Sequence, residues 1–174
     1  ERIKELSKKD NWWGPAGQTG PCGPDTEMFY WSGQEWVEIW NDVFMQYFKN
    51  VEGKYEPLSQ KNVDTGMGLE RMLSAINGLG DDYQTDVFLP IIQEIEKSSG
   101  KKYEDNKKEF RIIADHIKAA VFLISEGIVP SNVERGYVLR RLIRRAVRHG
   151  RQIGINGSVF KTAKTVIDIY KDAY

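Results

Sequence analysis

The sequence predicts an α+β protein, with an antiparallel sheet fragment in residues 1–80 and an all-α region in residues 81–174. Three observations carry this. Aromatic and β-branched residues crowd the segments 26–31 and 35–50, as pleated, half-buried strands require. From Asp86 onward, apolar residues recur at helical spacing. Between the two regions stands Gly78-Leu79-Gly80-Asp81-Asp82, a glycine-and-acid stretch that marks a boundary.

The elements follow in order. Glu1 to Asp10 is charged and reads as a short helix or a frayed end. Four glycines and three prolines between positions 14 and 24 exclude a regular element, so this stretch reads as a loop ordered by Trp12 and Trp13. Thr26 to Trp31 reads as a strand, Ser32-Gly33-Gln34 as a turn, and Glu35 to Asn50 as a long second strand. On that strand Val37, Ile39, Asn41, Val43 and Met45 share one face, because side chains alternate. Val51 to Gln60 is a polar connection, Lys61 to Gly66 a third strand and Leu69 to Asn77 a helix.

Beyond the boundary, Asp86 to Ser99 is a helix stopped by Gly100, and Lys101 to Lys108 a charged loop. Phe110 to Glu126 is a helix whose apolar run Ala119–Ile124 is expected to be buried, with Gly127 as its stop. Ser131-Asn132-Val133-Glu134 has the pattern of a capping box, so the next helix is expected from Asn132 to His149. A last helix fits 157–173.

Composition bounds the function. At 174 residues, 40% hydrophobic and 29% charged, the chain suits one soluble domain or two small ones. Its net charge is zero, so the overall balance implies no nucleic-acid partner. Cys22 is the only cysteine, which excludes an internal disulfide and a cysteine-rich zinc site, and His116 and His149 supply no metal site. No apolar run reaches the roughly 18 residues of a membrane span, and no signal peptide is visible. The first residue is Glu1 rather than methionine, so the chain is expected to be a piece of a longer protein.

Two stretches carry chemistry. In Val63-Asp64-Thr65-Gly66-Met67-Gly68-Leu69-Glu70-Arg71, a strand ends in glycines and enters a helix. Asp64 offers a negative charge, Gly66 and Gly68 let a ligand lie against the backbone, and Arg71 can fork onto phosphate oxygens. A bare glycine turn with a surface Arg–Glu pair would read the same way. The second stretch runs from Arg135 to Arg151, with seven arginines and no acid. On a wheel of about 100° per residue with Arg140 at zero, Arg151, Arg144, Arg148, Arg141 and Arg145 fall between about 20° and 140°. Val138, Leu142, Ala146, Leu139, Ile143 and Val147 fall between about 160° and 340°, so one face is core and the other a positive stripe. Such a stripe favours a polyanion, or else a set of acids on other helices such as Asp86, Glu94, Glu96, Asp115 and Glu126. Asn132, at the helix start, carries an amide that can both donate to and accept from a base edge.

These strings also carry a resemblance. Gly66-Met67-Gly68-Leu69-Glu70-Arg71 resembles the third signature motif of class II aminoacyl-tRNA synthetases, and the string from Asp64 is similar to its form in the alanyl-tRNA synthetase family. Trp13 with Thr19-Gly20-Pro21-Cys22-Gly23-Pro24, Glu38-Ile39-Trp40-Asn41 with Val43-Phe44-Met45-Gln46, and Pro130 to Gly150 resemble the same family in the same order. Asp25 departs from the pattern, where a cysteine is common.

The resemblance implies the back of a class II catalytic domain over 1–80, with motif three at 64–71, and part of a helical tRNA-recognition domain over 81–174. It implies a cytoplasmic enzyme that activates alanine with ATP, accompanied by Mg2+, and transfers it to the acceptor stem of alanine tRNA. Arg71 and Asp64 are then the catalytic pair, Arg71 on the terminal phosphate of ATP and Asp64 on the amino group of alanine. Trp13, Asn41, Val43, Asp64 and Gly66 would surround alanine or its adenylate, with Gly66, Gly68 and Arg71 against ATP. Asn132 would contact a G·U wobble pair, while Arg135, Arg140, Arg141, Arg144, Arg145 and Arg148 complete the tRNA surface. Neither the first class II motif nor a motif-two arginine precedes the Trp13 loop, so the piece alone is expected to be inactive. The rival expectation is a non-catalytic RNA-binding helical module with a vestigial nucleotide pocket, and a third is a purely structural fragment.

Overall fold

In the computed structural model, which describes residues 2–157 and 159–174, the chain divides into two compact units, Glu1–Gly80 and Asp81–Tyr174. Glu1 and Ser158, which fall in the segments expected over 1–10 and 157–173, lie outside the described residues.

The first unit is an antiparallel meander followed by a helix. Strands β1 (Trp12–Trp13), β2 (Gly20–Trp31), β3 (Trp36–Lys49) and β4 (Tyr55–Met67) pair in chain order, and α1 (Leu69–Ile76) follows. Residues 2–7 form no regular element and 8–10 form a turn, closed by the Asp10 N–H donating to the Ser7 carbonyl at 2.9 Å.

Two stretches expected to be irregular are strand in part. The glycine–proline run is irregular over 14–19, as expected, but from Gly20 it belongs to β2. Its register is broken between Cys22 and Asp25, and in that break Gly23 and Pro24 turn to pair with Trp13 and Trp12 of β1. A bulge is where a strand tolerates proline, which has no ladder donor to lose. Gly23 is required there: a Cβ on it would lie 1.9 Å from the Phe44 carbonyl oxygen. The polar connection after Val51 is likewise short. The Asn50 side chain accepts from the backbone N–H of Glu52 and Lys54, both at 3.0 Å, and β4 begins at Tyr55. A second register shift lies between Met28 and Phe29, and Pro57 sits beside a third, between Met45 and Tyr47.

Trp12 stacks on Tyr47 at 5.8 Å, meets Tyr55 edge-on at 5.3 Å and lies under the Lys8 ammonium, which fastens β1 to the sheet. Trp31 and Trp36 face each other at 5.3 Å at the hairpin end, both exposed, and the Trp40 indole donates to the Thr65 hydroxyl.

The second unit begins with a 3-10 turn at Asp82–Gln84, then α2 (Leu89–Ser99), α3 (Lys107–Ser125), α4 (Glu134–Gln152) and α5 (Phe160–Tyr170). Helix α2 starts later than its apolar spacing suggested, because Pro90 occupies its first turn, where no N–H is missed. Gly100 ends it in the left-handed region at φ 68°. Phe88, Ile91, Ile95, Phe110, Ile113, Ile117, Ala146 and Val166 form the core. Helix α3 buries one stripe, Phe110, Ile113, Ala114, Ile117 and Ala120. Its apolar end is therefore not buried throughout: Ala119 and Val121 to Leu123 are half-buried and Ile124 is exposed.

The expected capping box does not form. Helix α4 starts at Glu134, two residues late, with no side-chain cap. The Ser131 hydroxyl accepts from the Val133 N–H at 3.3 Å, and the Ser131 N–H donates to the Gly136 carbonyl at 3.0 Å. The approach is this close because Gly136 has no side chain: a Cβ there would lie 2.2 Å from the Ser131 hydroxyl and 2.6 Å from the Val129 carbonyl oxygen.

A polar knot fastens the start of the second unit. Asp81 accepts from Arg111 at 2.7 Å, from the Tyr103 hydroxyl at 2.6 Å and from the Tyr83 N–H at 3.1 Å. Burial alone would raise the Asp81 carboxyl, but these bonds and the Arg111 charge outweigh it and hold the group below its ordinary value.

Two outcomes follow. Gly23→Ala should destabilise the protein by about 2–4 kcal/mol in chemical denaturation, because the collision is with backbone that cannot rotate away; a change under about 0.5 kcal/mol would show that the bulge opens freely. The Asp81 contribution is fully present above its unfolded pKa near 3.9 and disappears as pH falls through its lower folded value. Asp81→Asn should therefore cost about 1–3 kcal/mol at pH 7 and little once Asp81 is protonated in both states. An equal cost across an acid series of melts would assign the effect to packing.

Candidate functional site

Opposite residues of an antiparallel sheet project to the same face. On the first unit's sheet, Asp25 stands opposite Val43, and Val43 opposite Asp64; one step along, Glu27 stands opposite Asn41, and Asn41 opposite Gly66. Two three-strand rows thus lie side by side on one face. Around Asp25, Glu27 and Asn41 the surface opens into a pocket of about 640 Å³, walled also by Leu6, Lys9, Asp10, Trp12, Trp13 and Phe29.

Of the residues singled out from sequence, this geometry brings Trp13 and Asn41 into the pocket. Val43, Asp64 and Gly66 continue the rows beside it, Val43 buried and Asp64 exposed. A Cβ on Gly66 would meet nothing within 4 Å, so the protein's own packing does not demand glycine there.

From sequence, Asp25 stood out only as a departure from the family pattern and Trp12 only as ordering the loop, and Glu27 was not singled out. The signal for Asp25 and Glu27 was present: acids two apart on a strand share a face. Asp25 is only 7% exposed. Its Oδ2 accepts from the Asn41 amide nitrogen at 3.3 Å, while its Oδ1 and the Asn41 Oδ1 are buried with no hydrogen-bond partner. The Glu27 carboxyl is pushed up, first by burial and then by the charges of Glu38, Asp25 and Asp10. The pocket is therefore rich in acceptors and negative charge, the complement of a small cationic donor.

Arg71 lies in the first turn of α1. Its guanidinium donates to the Glu38 carbonyl at 3.2 Å and lies 3.7 Å from the Glu38 carboxylate, exposed to solvent. Gly68 lies beneath it, since a Cβ there would meet the Arg71 side chain at 3.3 Å. A phosphate would have to compete with Glu38 for this arginine.

In the second unit, Arg135, Arg140, Arg141, Arg144, Arg145, Arg148 and Arg151 are all exposed, and Leu139 and Ala146 are buried on the opposite side of α4. Among the described residues no carboxylate lies within ion-pairing distance of these arginines. Three of the five acids that could have matched them are engaged elsewhere, Glu94 with Ser98, Glu96 with Tyr103 and Lys102, and Asp115 with Tyr83, while Asp86 and Glu126 are exposed. All of the arginines but Arg135 line an open groove of about 840 Å³ with Tyr137, Ile143 and Val147. Asn132 is exposed at the start of α4, and its amide oxygen accepts from Arg140. The two lie eight positions apart, a contact that sequence spacing alone does not reveal. His116 and His149 each carry a buried ring nitrogen without a partner; burial is the first cause that lowers both.

Among the described residues, no helix is long and apolar enough to cross a membrane. The alanine–tRNA ligase of Treponema denticola is 50% identical over 96% of this chain and 31% of that protein. That of Treponema pallidum is 46% identical over 99% of this chain and 32% of its own length, and that of Thermotoga maritima 50% identical over 90% and 20%. The chain thus spans a third or less of these relatives. The family model described as tRNA synthetases class II (A) matches residues 1–174, the whole chain, and the chain belongs to that family.

Proposed function

We propose that this chain is the alanine pocket and part of the tRNA-reading surface of an alanine–tRNA ligase, with the first task in residues 1–80 and the second in residues 81–174. The observation that carries the reading is the pair of rows on one sheet face, Asp25–Val43–Asp64 and Glu27–Asn41–Gly66. Glu27, Asp64 and the Asn41 oxygen suit an ammonium group. The open space over Gly66 and the compact Val43 suit a single methyl, an arrangement that discriminates poorly against glycine or serine.

In the reaction, the alanine carboxylate attacks ATP and pyrophosphate leaves; the tRNA hydroxyl then displaces AMP from the adenylate. This chain's part is positioning. Asp64 and Asn41 hold the ammonium. Arg71 takes up charge on the terminal phosphate when a phosphate displaces Glu38 from it, and preformed charges of this kind carry much of the acceleration in such transfers. ATP enters as substrate with Mg2+. Among the described residues no cluster of His, Cys, Asp or Glu is arranged to hold a metal ion, so no residue here is assigned to it. The partner of α4 is the acceptor stem of alanine tRNA, in the cytoplasm. Arginines without carboxylate partners favour this reading over a solvated ion-paired face.

The test is alanine-dependent exchange of pyrophosphate into ATP by the complete protein containing this chain. Tight RNA binding without exchange would select the non-catalytic RNA-binding module instead. In the same assay, the alanine KM should rise as pH falls while still above the ordinary glutamate value of 4.5, because Glu27 titrates above it and loses its charge on protonation. Asp10, Asp25 and Glu38 push that titration up, and Lys9 lines the same pocket. A KM flat down to 4.5 would remove Glu27 from the ammonium site.

The α4 residues should separate. Arg144→Ala or Arg148→Ala should weaken all tRNAs alike and reduce the salt slope by about one. Asn132→Ala should cost about 1–3 kcal/mol on tRNA bearing the G·U pair and little on one with a Watson–Crick pair there. Arg140→Ala should show both effects, since it holds the Asn132 amide. Aminoacylation efficiencies on the two tRNAs decide, and equal losses for Asn132→Ala would make it a helix-start residue only.

A further inference from the structure

The rows that form the pocket contain one contact with a directional consequence. A carboxamide has two ends of nearly the same shape, one donating and one accepting, and only its neighbours decide which faces a ligand. The Asn41 amide meets Asp25, and a carboxylate can only accept. The nitrogen of Asn41 therefore turns to Asp25 Oδ2, at 3.3 Å. The oxygen turns the other way, buried and without a partner.

The Asp25 backbone is held in place. Its N–H donates to the Asn11 carbonyl at 3.4 Å, and its carbonyl accepts from the Asn11 side chain at 3.1 Å. The bulge at Gly23 and Pro24 fixes the step of the strand just before it.

We propose that Asp25 is a positioning residue that fixes the Asn41 carboxamide with its oxygen toward the ligand, so that the pocket offers acceptors to an ammonium group. This deepens the alanine reading and rests on it. Without the carboxylate, the amide can present its NH2 group to the ammonium, donor against donor. Asp25 acts through Asn41 and does not itself touch the substrate.

The experiment uses the complete protein and L-alanine in the pyrophosphate-exchange assay. Asp25→Asn is nearly isosteric but can donate as well as accept. It should raise the alanine KM about tenfold, the scale of one lost charge-assisted hydrogen bond, with kcat and the ATP KM changed by less than about twofold. In an Asn41→Ala background the same substitution should add nothing to KM, the signature of two residues acting as one unit. If Asp25→Asn does not fold, as judged by its melting profile, Asp25→Ser takes its place with the same expectations, since a hydroxyl also leaves the amide undirected. An unchanged alanine KM in the single variant overturns the proposal. So does an undiminished tenfold loss in the Asn41→Ala background, which would mean that Asp25 meets the ligand directly. No alanine-dependent exchange by the wild-type protein overturns the alanine reading itself and this inference with it.

Discussion

The first unit depends on a single close approach, the backbone of Gly23 against the Phe44 carbonyl. Cys22, on one side of the break, and Asp25, on the other, are both buried. Between them, two residues leave the β2–β3 ladder to pair with β1. That detour recruits Trp12 and Trp13 to the sheet, and both reach the pocket wall. It also restarts the β2 register so that Asp25 and Glu27, rather than their neighbours, share a face with Asn41 and Val43. One residue more or less in the bulge would send those acids to the other side of the sheet.

Much of this was legible in the sequence. The order of elements, the separation of sheet from helices and the two faces of α4 follow from periodicity that a single chain carries openly. The face of β3 was legible in part: Asn41, Val43 and Met45 share it as alternation predicts, but the register break between Met28 and Phe29 puts Glu38 there in place of Val37 and Ile39. Three things were not. Glycine and proline read as loop because propensity says nothing of a bulge that a neighbouring strand fills. The Ser131–Glu134 capping pattern was present, yet the helix starts elsewhere, because the vacancy at Gly136 lets the incoming chain fold against the first turn. The third gap is the set of cross-strand partners. Asp25 lies 16 positions from Asn41 and Arg71 lies 33 from Glu38, and nothing within either segment announces the other.

The sites differ in how completely the chain furnishes them. The sheet pocket holds acceptors whose bonding capacity is unfilled, and Arg71, the guanidinium expected against phosphate, is engaged by Glu38. The α4 face is the reverse, a surplus of donors, with Glu94, Glu96 and Asp115 among their potential acid partners bonding elsewhere. In both, the mismatch resides in side chains. Function is then written as an imbalance of hydrogen bonds and charge.

The crowding on α4 has a thermodynamic consequence. Arg140 and Arg144, Arg141 and Arg145, and Arg144 and Arg148 stand one turn apart, and Arg141 and Arg144, Arg145 and Arg148, and Arg148 and Arg151 are three apart. Each such like-charge pair opposes the helix by about 0.2–0.5 kcal/mol, together on the order of 1–3 kcal/mol. The helix is therefore electrostatically frustrated when alone. Its hydrophobic face holds it folded against its own charge. A polyanion laid along it relieves that repulsion as well as adding contacts, so part of the affinity is recovered helix stability. Mobile salt does the same in weaker form. Added salt thus loosens the complex while steadying the free helix, two opposite responses from one set of side chains.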